Sequence, residues 1–217
     1  MRIDIWSDVV CPWCYVGKRR FERALAAFED RDDVQVVHRS FQLDPARPKG
    51  QTQKRREMLM AKYRLTAAQV ADLDVRMEQT AAADGLEYHL GAEGVTGNTF
   101  DAHRLLHLAA EHGRQDETLE RFYRAYFTEG RSLFDEASLT ALAVEAGLEA
   151  GAVSDVLAGE AYAAAVAADI REAQTMGANG VPFFVFDHRF GVSGAQPSEV
   201  FAQVLARARE SRVTSSR

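Results

Sequence analysis

The chain contains two cysteines, Cys11 and Cys14, separated by two residues. A disulfide across this spacing closes a very small loop and removes little entropy from the unfolded chain, so it is a poor structural staple. Thiols at this spacing can instead exchange disulfides with a partner or supply two ligands to a metal ion. The two cysteines are therefore the first candidates for chemistry.

The surrounding sequence predicts that both cysteines lie where a strand meets a helix. Residues 3–6 alternate like a short strand, Pro12 suits the first turn of a helix, and a helical pattern follows from Tyr15. The free N–H groups and positive dipole end of a helix stabilise a thiolate, which is the reactive form of cysteine. We therefore expect Cys11 to attack a disulfide and Cys14 to resolve the mixed disulfide.

The two residues between the cysteines are expected to shape the surface that meets a partner. Pro12 stiffens the turn, and Trp13 is predicted to lie on the surface beside Cys11 as an apolar platform. Both are therefore candidate substrate-binding residues.

Two other interpretations of the cysteine pair are open at this point. Zinc needs about four ligands, and His103 and His107, four residues apart on one predicted helix, could add to Cys11 and Cys14. The pair could also be structural and unreactive. The predicted position at a helix start favours reactivity, and nothing in the sequence brings the histidines to the cysteines, so we predict no metal site.

A Val-Pro pair late in the chain, Val181-Pro182, opens a predicted strand over 181–186. Proline is allowed at the first position of an edge strand, so the pair need not have a function. If the bond is cis, it turns the Val181 backbone outward, where it can pair with an extended substrate segment. The spacing alone does not decide between these two interpretations.

The predicted elements follow the order β-α-β, then a helical block, then α-β-β-α. The helices of the block and the one that follows it are expected at about 66–83, 98–112, 115–128, 136–146, 150–158 and 160–176. The two ends look like halves of one α/β layer, into which the helical block is inserted. We predict one discontinuous domain over 1–45 and 159–217 and an inserted domain over 46–158.

Composition excludes several classes of protein. The 217 residues carry a net charge of −6, which argues against nucleic acid as a partner. No apolar run approaches the roughly 18 residues of a transmembrane helix, so no membrane association is expected. The N-terminus lacks the charged and apolar regions of a signal peptide, and we therefore predict a cytoplasmic protein.

Three segments resemble the DsbA family of oxidoreductases, and most closely its FrnE-type branch. They are WSDVVCPWCYVGKRRFE at the start, GNTFDAHRLLHLA in the middle and GANGVPFFVFDHRFGVSGAQP near the end. The resemblance implies a thioredoxin-like α/β fold with a large all-helical insertion domain. It also implies that Cys11 is the nucleophile, Cys14 its partner and Pro182 a cis-proline facing them.

Kappa-class glutathione transferases and 2-hydroxychromene-2-carboxylate isomerases share this architecture but do not use a Cys-x-x-Cys pair. Segments similar to their thiol-cofactor pockets contain Asn98, Arg104, Val181, Ser193 and Gly194, which makes these residues candidates for substrate binding. The alternative for Asn98 is a helix cap, and for Ser193-Gly194 it is a turn.

These observations lead to three functional hypotheses. The first is a thiol–disulfide oxidoreductase acting on protein or small-molecule thiols and disulfides. The second is a glutathione-dependent isomerase or transferase acting on an aromatic or polyketide-like molecule, and the third is a redox-regulated binding module without turnover. We expect no cofactor beyond glutathione or another low-molecular-weight thiol as co-substrate. A homodimer is also considered, and the direction of electron flow is left open.

Overall fold

The computed structural model describes residues 1–91 and 93–215, and of residues 213–215 the backbone alone. The predicted domains also include residue 92 and residues 216–217, which lie outside the described residues. The strands and α-helices in chain order are β1 (Arg2–Ser7), α1 (Pro12–Ala26), β2 (Gln35–Ser40), β3 (Thr52–Lys54), α2 (Arg55–Tyr63), α3 (Ala67–Ala83), β4 (Val95–Gly97), α4 (Phe100–Glu111), α5 (Gln115–Phe127), α6 (Glu136–Glu145), α7 (Ala150–Ala158), α8 (Ala163–Thr175), β5 (Phe183–Phe186), β6 (Phe190–Ser193) and α9 (Ser198–Ser215).

The chain divides into two compact units. One comprises Met1–Phe41 and Asp169–Arg217, and the other comprises Gln42–Ala168. The sequence-based boundaries lie after residues 45 and 158. The structure divides the chain after residues 41 and 168 instead, and the second of these points lies inside the continuous helix α8.

The discontinuous unit is built on a four-stranded sheet of order β2-β1-β5-β6. Strands β1 and β2 are parallel, while β5 is antiparallel to both β1 and β6. With α1 between the parallel strands and α9 closing the chain, this arrangement is the predicted thioredoxin-like fold.

Alternation along β1 divides its side chains between the two faces of the sheet. Ile3 and Ile5 belong to a buried cluster with Phe21 of α1 and Phe201 of α9. Trp6 belongs to a second cluster, and its indole N–H donates to the carbonyl of Asp169 at 2.8 Å. Buried clusters therefore cover both faces of β1. This packing fixes the position of the strand that precedes the cysteines.

Asp4, in the middle of β1, is a buried carboxylate with two arginine partners. Arg2 and Arg39 donate to it at 3.0 and 2.9 Å. Burial alone would raise the pKa of Asp4, but the hydrogen bonds and charges of the two arginines outweigh burial and lower that pKa. Asp4 is therefore part of an ion network that ties β1 to β2.

In the described residues of the inserted unit, the regular elements are helices and the two-stranded antiparallel sheet β3-β4. Its helices follow local capping signals. Thr66 and Gln69 form both hydrogen bonds of a capping box at the start of α3, and Gly113, with a φ of 66°, follows the end of α4. The sequence analysis predicted an all-helical insertion domain and did not predict this sheet.

No helix among residues 1–91 and 93–215 combines the length and the apolar character needed to cross a membrane.

Candidate active site

Both cysteines lie at the start of α1, where backbone hydrogen bonds fix their positions. Cys11 is the N-cap, with extended backbone (φ −88°, ψ 111°), and Pro12 begins the helix. The Cys11 N–H donates to the Asp8 carbonyl, and the Cys14 N–H donates to the Cys11 carbonyl, each at 3.0 Å. The first turn contains no acidic residue, so no carboxylate there offsets the positive end of the helix dipole at Cys11.

The loop before β5 meets Cys11. The Val181–Pro182 peptide bond is cis, and the Cys11 thiol donates to the Val181 carbonyl with an Sγ–O distance of 3.6 Å. Val181 is half-buried and packs on the cluster that contains Trp6. The structure therefore brings together the two parts of the chain that the sequence analysis singled out, although about 170 residues separate them.

Both cysteines are free thiols, and both are buried, with Cys11 4% and Cys14 2% exposed. The exposed fractions of the two cysteines therefore do not distinguish the attacking sulfur from the resolving sulfur. Burial raises the pKa of the Cys14 thiol well above its usual value, and the neighbouring Cys11 side chain adds to this effect. Cys14 is therefore held as a neutral thiol.

The pKa of Cys14 predicts how stability depends on pH in the reduced protein. Because the folded-state pKa is raised, the neutral Cys14 thiol stabilises the folded state fully at pH values below the unfolded pKa of about 8.5. This stabilisation is lost as the pH rises above that value. We expect the free energy of unfolding to decrease there by up to about 1.4 kcal/mol per pH unit. Urea unfolding under a non-thiol reductant at several alkaline pH values measures this slope.

The variants Cys11→Ser and Cys14→Ala serve as controls for that slope. Cys11→Ser keeps the buried thiol and should retain most of the slope, whereas Cys14→Ala should lose it. Equal slopes in Cys14→Ala and the wild type would contradict the assignment.

Gly17, one turn after Cys14, is a site residue that the sequence analysis missed. A Cβ at this position would lie 2.8 Å from Cγ of Pro182 and 3.4 Å from Ala195. The glycine thus permits the close approach of α1 to the cis-proline loop. The one available signal was a glycine in the interior of a predicted helix, where glycine is unfavourable without a packing reason.

Gly17→Ala should therefore damage the site. Alanine normally stabilises a helix interior by about 1 kcal/mol relative to glycine. Here we expect the overlap with the proline ring to dominate and to cost about 1–3 kcal/mol. Displacement of the loop should lower disulfide-exchange turnover by on the order of 10²-fold. Urea unfolding and insulin reduction measure the two effects.

Gly91→Ala is a matched control, since a Cβ there meets nothing within 4 Å. A Gly17→Ala protein that is more stable than the wild type and fully active would contradict the packing argument.

Ser193 and Gly194 lie beside the proline loop. Ser193 pairs with Phe183 across β5 and β6, and the Gly194 N–H donates to the Pro182 carbonyl at 2.8 Å. Gly194 has a φ of 81°, which is typical of the turn considered for this pair. These contacts give both residues a part in holding the loop, and their binding of a thiol cofactor stays a prediction.

The residues between the cysteines differ in exposure. Pro12 is half-buried, and Trp13 is 46% exposed, which makes it one of the more exposed large apolar side chains of the described residues. An indole exposed to this extent next to Cys11 is available to contact a partner.

Asn98 and Arg104 lie in the inserted unit. The Asn98 side chain accepts from the Phe100 N–H at 2.8 Å and from Gln42 at 3.2 Å. Its amide donates to the Arg47 carbonyl. Asn98 also lines a small pocket of about 60 Å³ together with Lys49, Asp101, Leu133, Phe134 and Leu157.

Arg104 is completely buried, and its guanidinium is bonded within the inserted unit. It donates to the carbonyls of Val156, Gly159 and Ala161 and to the carboxylate of Asp101. Through these bonds, Arg104 connects α4 to the backbone at the end of α7 and just after it. Its predicted contact with a thiol cofactor remains untested.

Within residues 1–91 and 93–215, no group of three or more His, Cys, Asp or Glu side chains is arranged to hold a metal ion. The structure thus offers no cluster for the zinc alternative in the part of the chain it describes.

A Cys-Pro-Trp-Cys dithiol at the start of the first helix, beside a cis-proline loop, is typical of thioredoxin-fold thiol proteins. The model of the DSBA-like thioredoxin domain matches residues 2–206 of the chain. The chain therefore belongs to the DsbA-like family of thioredoxin-fold proteins.

Solved structures agree with this assignment. A probable DsbA oxidoreductase from Streptomyces coelicolor is 54% identical, with a TM-score of 0.93 over 97% of this chain and 90% of that one. The cytosolic disulfide reductase DsbM from Pseudomonas aeruginosa, solved with GSH, is 20% identical (TM-score 0.66; 96% and 100% covered). A 2-hydroxychromene-2-carboxylate isomerase is 18% identical (TM-score 0.70; 100% and 98% covered). The last two comparisons establish a shared fold.

Proposed function

We propose that this protein is a thiol–disulfide oxidoreductase in which Cys11 is the nucleophile and Cys14 the resolving thiol. The observation that carries the proposal is the position of Cys11. It caps the N-terminus of α1, and its sulfur lies 3.6 Å from the Val181 carbonyl of the cis-proline loop. Membership of the DsbA-like family supports the same class of activity.

The reaction consists of two exchanges. The Cys11 thiolate attacks one sulfur of a substrate disulfide, a Cys11–substrate disulfide forms, and the other substrate sulfur leaves as a thiolate. Cys14 then loses its proton and attacks the Cys11 sulfur, which releases the second substrate thiolate. The substrate has gained two electrons and the enzyme holds a Cys11–Cys14 disulfide. The reverse sequence oxidises a substrate dithiol.

The residues around Cys11 suit an extended partner. In this proposal the backbone of Val181, two residues before β5, pairs with an extended substrate segment by strand addition. Trp13 supplies apolar area beside the reacting sulfur, since its ring is nearly half exposed. Protein disulfides and small-molecule disulfides are both candidate substrates.

We further propose that the protein works in the cytoplasm and uses no tightly bound cofactor. Its electrons would come from or go to a low-molecular-weight thiol such as glutathione. The cytosolic reductase DsbM, which shares this fold, has been solved with GSH, which supports this class of co-substrate.

A glutathione-dependent isomerase is the second candidate. It is favoured by the fold shared with 2-hydroxychromene-2-carboxylate isomerase. The two cysteines weigh against it, because that chemistry does not require a dithiol.

Two assays on purified protein separate these candidates. We expect dithiothreitol-driven reduction of insulin and refolding of a scrambled disulfide protein, both dependent on Cys11. If wild type and Cys11→Ser behave alike in both, the oxidoreductase proposal fails. Heat released on glutathione binding, together with Cys11-independent isomerisation of an aromatic substrate, would support the second candidate.

A further inference from the structure

Hydrogen bonds hold the cis-proline loop at two neighbouring carbonyls. The Val181 carbonyl accepts the Cys11 thiol at 3.6 Å, and the Pro182 carbonyl accepts the Gly194 N–H at 2.8 Å. Gly194 belongs to residues 194–197, which connect β6 to α9 and which we call the β6–α9 loop. The position of the β6–α9 loop therefore affects the position of the cis-proline loop.

Internal hydrogen bonds make the β6–α9 loop a compact turn. The Gln196 N–H donates to the Gly194 carbonyl, and the Gln196 side chain donates to the Ser193 carbonyl, each at 2.9 Å. Because these bonds enclose Ala195, a contact that fixes Ala195 also fixes the direction of the neighbouring Gly194 N–H.

Arg20, in the second half of α1, makes such a contact. Its guanidinium donates to the Ala195 carbonyl at 2.7 Å, and its main-chain carbonyl accepts the Ser198 hydroxyl at 2.9 Å. Gly17, one turn earlier, allows a close approach, since a Cβ there would lie 3.4 Å from Ala195. A charged donor makes a stronger hydrogen bond than a neutral one. Arg20 therefore joins α1 both to the β6–α9 loop and to the first residue of α9.

These contacts form a path from Arg20 to the reacting sulfur. The guanidinium bonds to the β6–α9 loop, that loop bonds to Pro182, and the adjacent Val181 bonds to Cys11. Cys11 and Arg20 both belong to the α1 region but are separated by about 13 Å along the helix axis. Any effect of Arg20 on the site is therefore expected to pass through the two loops.

We propose that Arg20 is a positioning residue that aligns the cis-proline loop with Cys11 and so fits the site to disulfides of extended peptides. This inference rests on the proposed function. A peptide segment that pairs with the Val181 backbone needs the N–H and C=O groups there in fixed directions. A small disulfide has to reach only the Cys11 sulfur, so its reaction does not depend on that alignment.

Arg20→Met removes the bond to Ala195 and keeps most of the apolar length of the side chain. We expect the reaction with a peptide disulfide to become less efficient by about tenfold or more, mainly through a higher half-saturating concentration. The reaction with a small disulfide should stay within a few-fold of the wild type. A general loss of stability would lower both reactions equally, because it changes the fraction of folded enzyme.

Single-turnover experiments with two matched substrates measure this difference. One substrate is an extended peptide whose single cysteine is joined to 2-mercaptoethanol by a disulfide, and the other is bis(2-hydroxyethyl) disulfide. Reduced enzyme is mixed with an excess of either substrate and quenched in acid. The fraction that holds the Cys11–Cys14 disulfide is read from the mass after alkylation of the remaining thiols. Its dependence on substrate concentration gives the half-saturating concentration and the limiting rate.

Two further variants complete the experiment. Arg23→Met changes an exposed arginine of the same helix and should leave the ratio of the two reactions unchanged. Arg20→Lys keeps a charged donor and should retain part of the preference for the peptide. It also tests the inference if Arg20→Met does not fold, since a weaker contact should lower the peptide reaction selectively.

Unchanged reactions in the Arg20 variants, or equal losses with both substrates, would overturn the inference and leave the proposed function intact. A wild-type enzyme that neither substrate oxidises at Cys11 and Cys14 would instead refute the proposed function.

Discussion

Cys11→Ser should reduce turnover in insulin reduction by on the order of 10³-fold or more, which is typical of losing a catalytic nucleophile. A serine hydroxyl is not ionised near neutral pH, and an oxygen nucleophile does not enter thiol–disulfide exchange. Its fold should persist, because the change is nearly isosteric and the bond from the Cys11 thiol to the Val181 carbonyl is long, at 3.6 Å. Initial rates at equal protein concentration measure the effect.

Cys14→Ser is the matched variant for the second exchange. It should also lose turnover, but it should form a stable mixed disulfide with the substrate at Cys11, visible as a mass increase under non-reducing conditions. Cys11→Ser should form no such adduct. Turnover that survives in Cys11→Ser would contradict the assigned roles.

Arg104→Met should unfold the inserted unit more readily, with a loss of at least about 3 kcal/mol. Methionine roughly matches the length of the side chain but leaves three carbonyls and Asp101 without their buried donor. Each unsatisfied buried group costs about 1–3 kcal/mol. Since domains are stable by only about 5–15 kcal/mol, the urea midpoint should fall markedly.

Arg124→Met is the control for that measurement. Arg124 belongs to the same unit and pairs with Glu129, but its side chain is 69% exposed. A surface pair of this kind contributes under about 1 kcal/mol. Equal losses in the two variants would show that the carbonyl bonds of Arg104 do not stabilise the unit.

Local signals were sufficient to predict most of the fold. The capping box of Thr66 and Gln69 and the glycine after α4 act within one or two helical turns, so they are visible in the sequence. The strand after Val181-Pro182 is also a local feature, although β5 begins at Phe183, two residues later than predicted. On either side of the inserted unit, the strands and helices occur in the predicted order.

Features that depend on distant partners were not predictable. Strands β3 and β4 have three residues each, too few for an alternating pattern, and pair across about 40 residues. A Cβ on Gly97, in β4, would lie 2.6 Å from the Phe134 ring, a constraint that only the folded chain reveals. Short pairings of this kind depend on tertiary packing rather than on propensity.

The same distinction between local and long-range features applies to the candidate site. The sequence was sufficient to place Cys11 and Cys14 at a helix start, because a strand, a turn and a helix N-terminus are local. The closeness of Gly17 to Pro182 was not predictable, and neither were the bonds of Arg104 to backbone carbonyls, since both join residues more than 50 positions apart. Resemblance alone suggested Arg104 as a binding residue, and it carried no information on what surrounds the guanidinium.

The central claim is that Cys11 is the reactive sulfur of the pair while Cys14 is held protonated. Limited alkylation tests it most directly: the reduced wild-type protein is treated near pH 7 with a deficit of iodoacetamide and digested with trypsin. Fragment ions that separate Cys11 from Cys14 give the label at each sulfur. We predict at least about tenfold more label on Cys11. Equal labelling, or more label on Cys14, would contradict the claim.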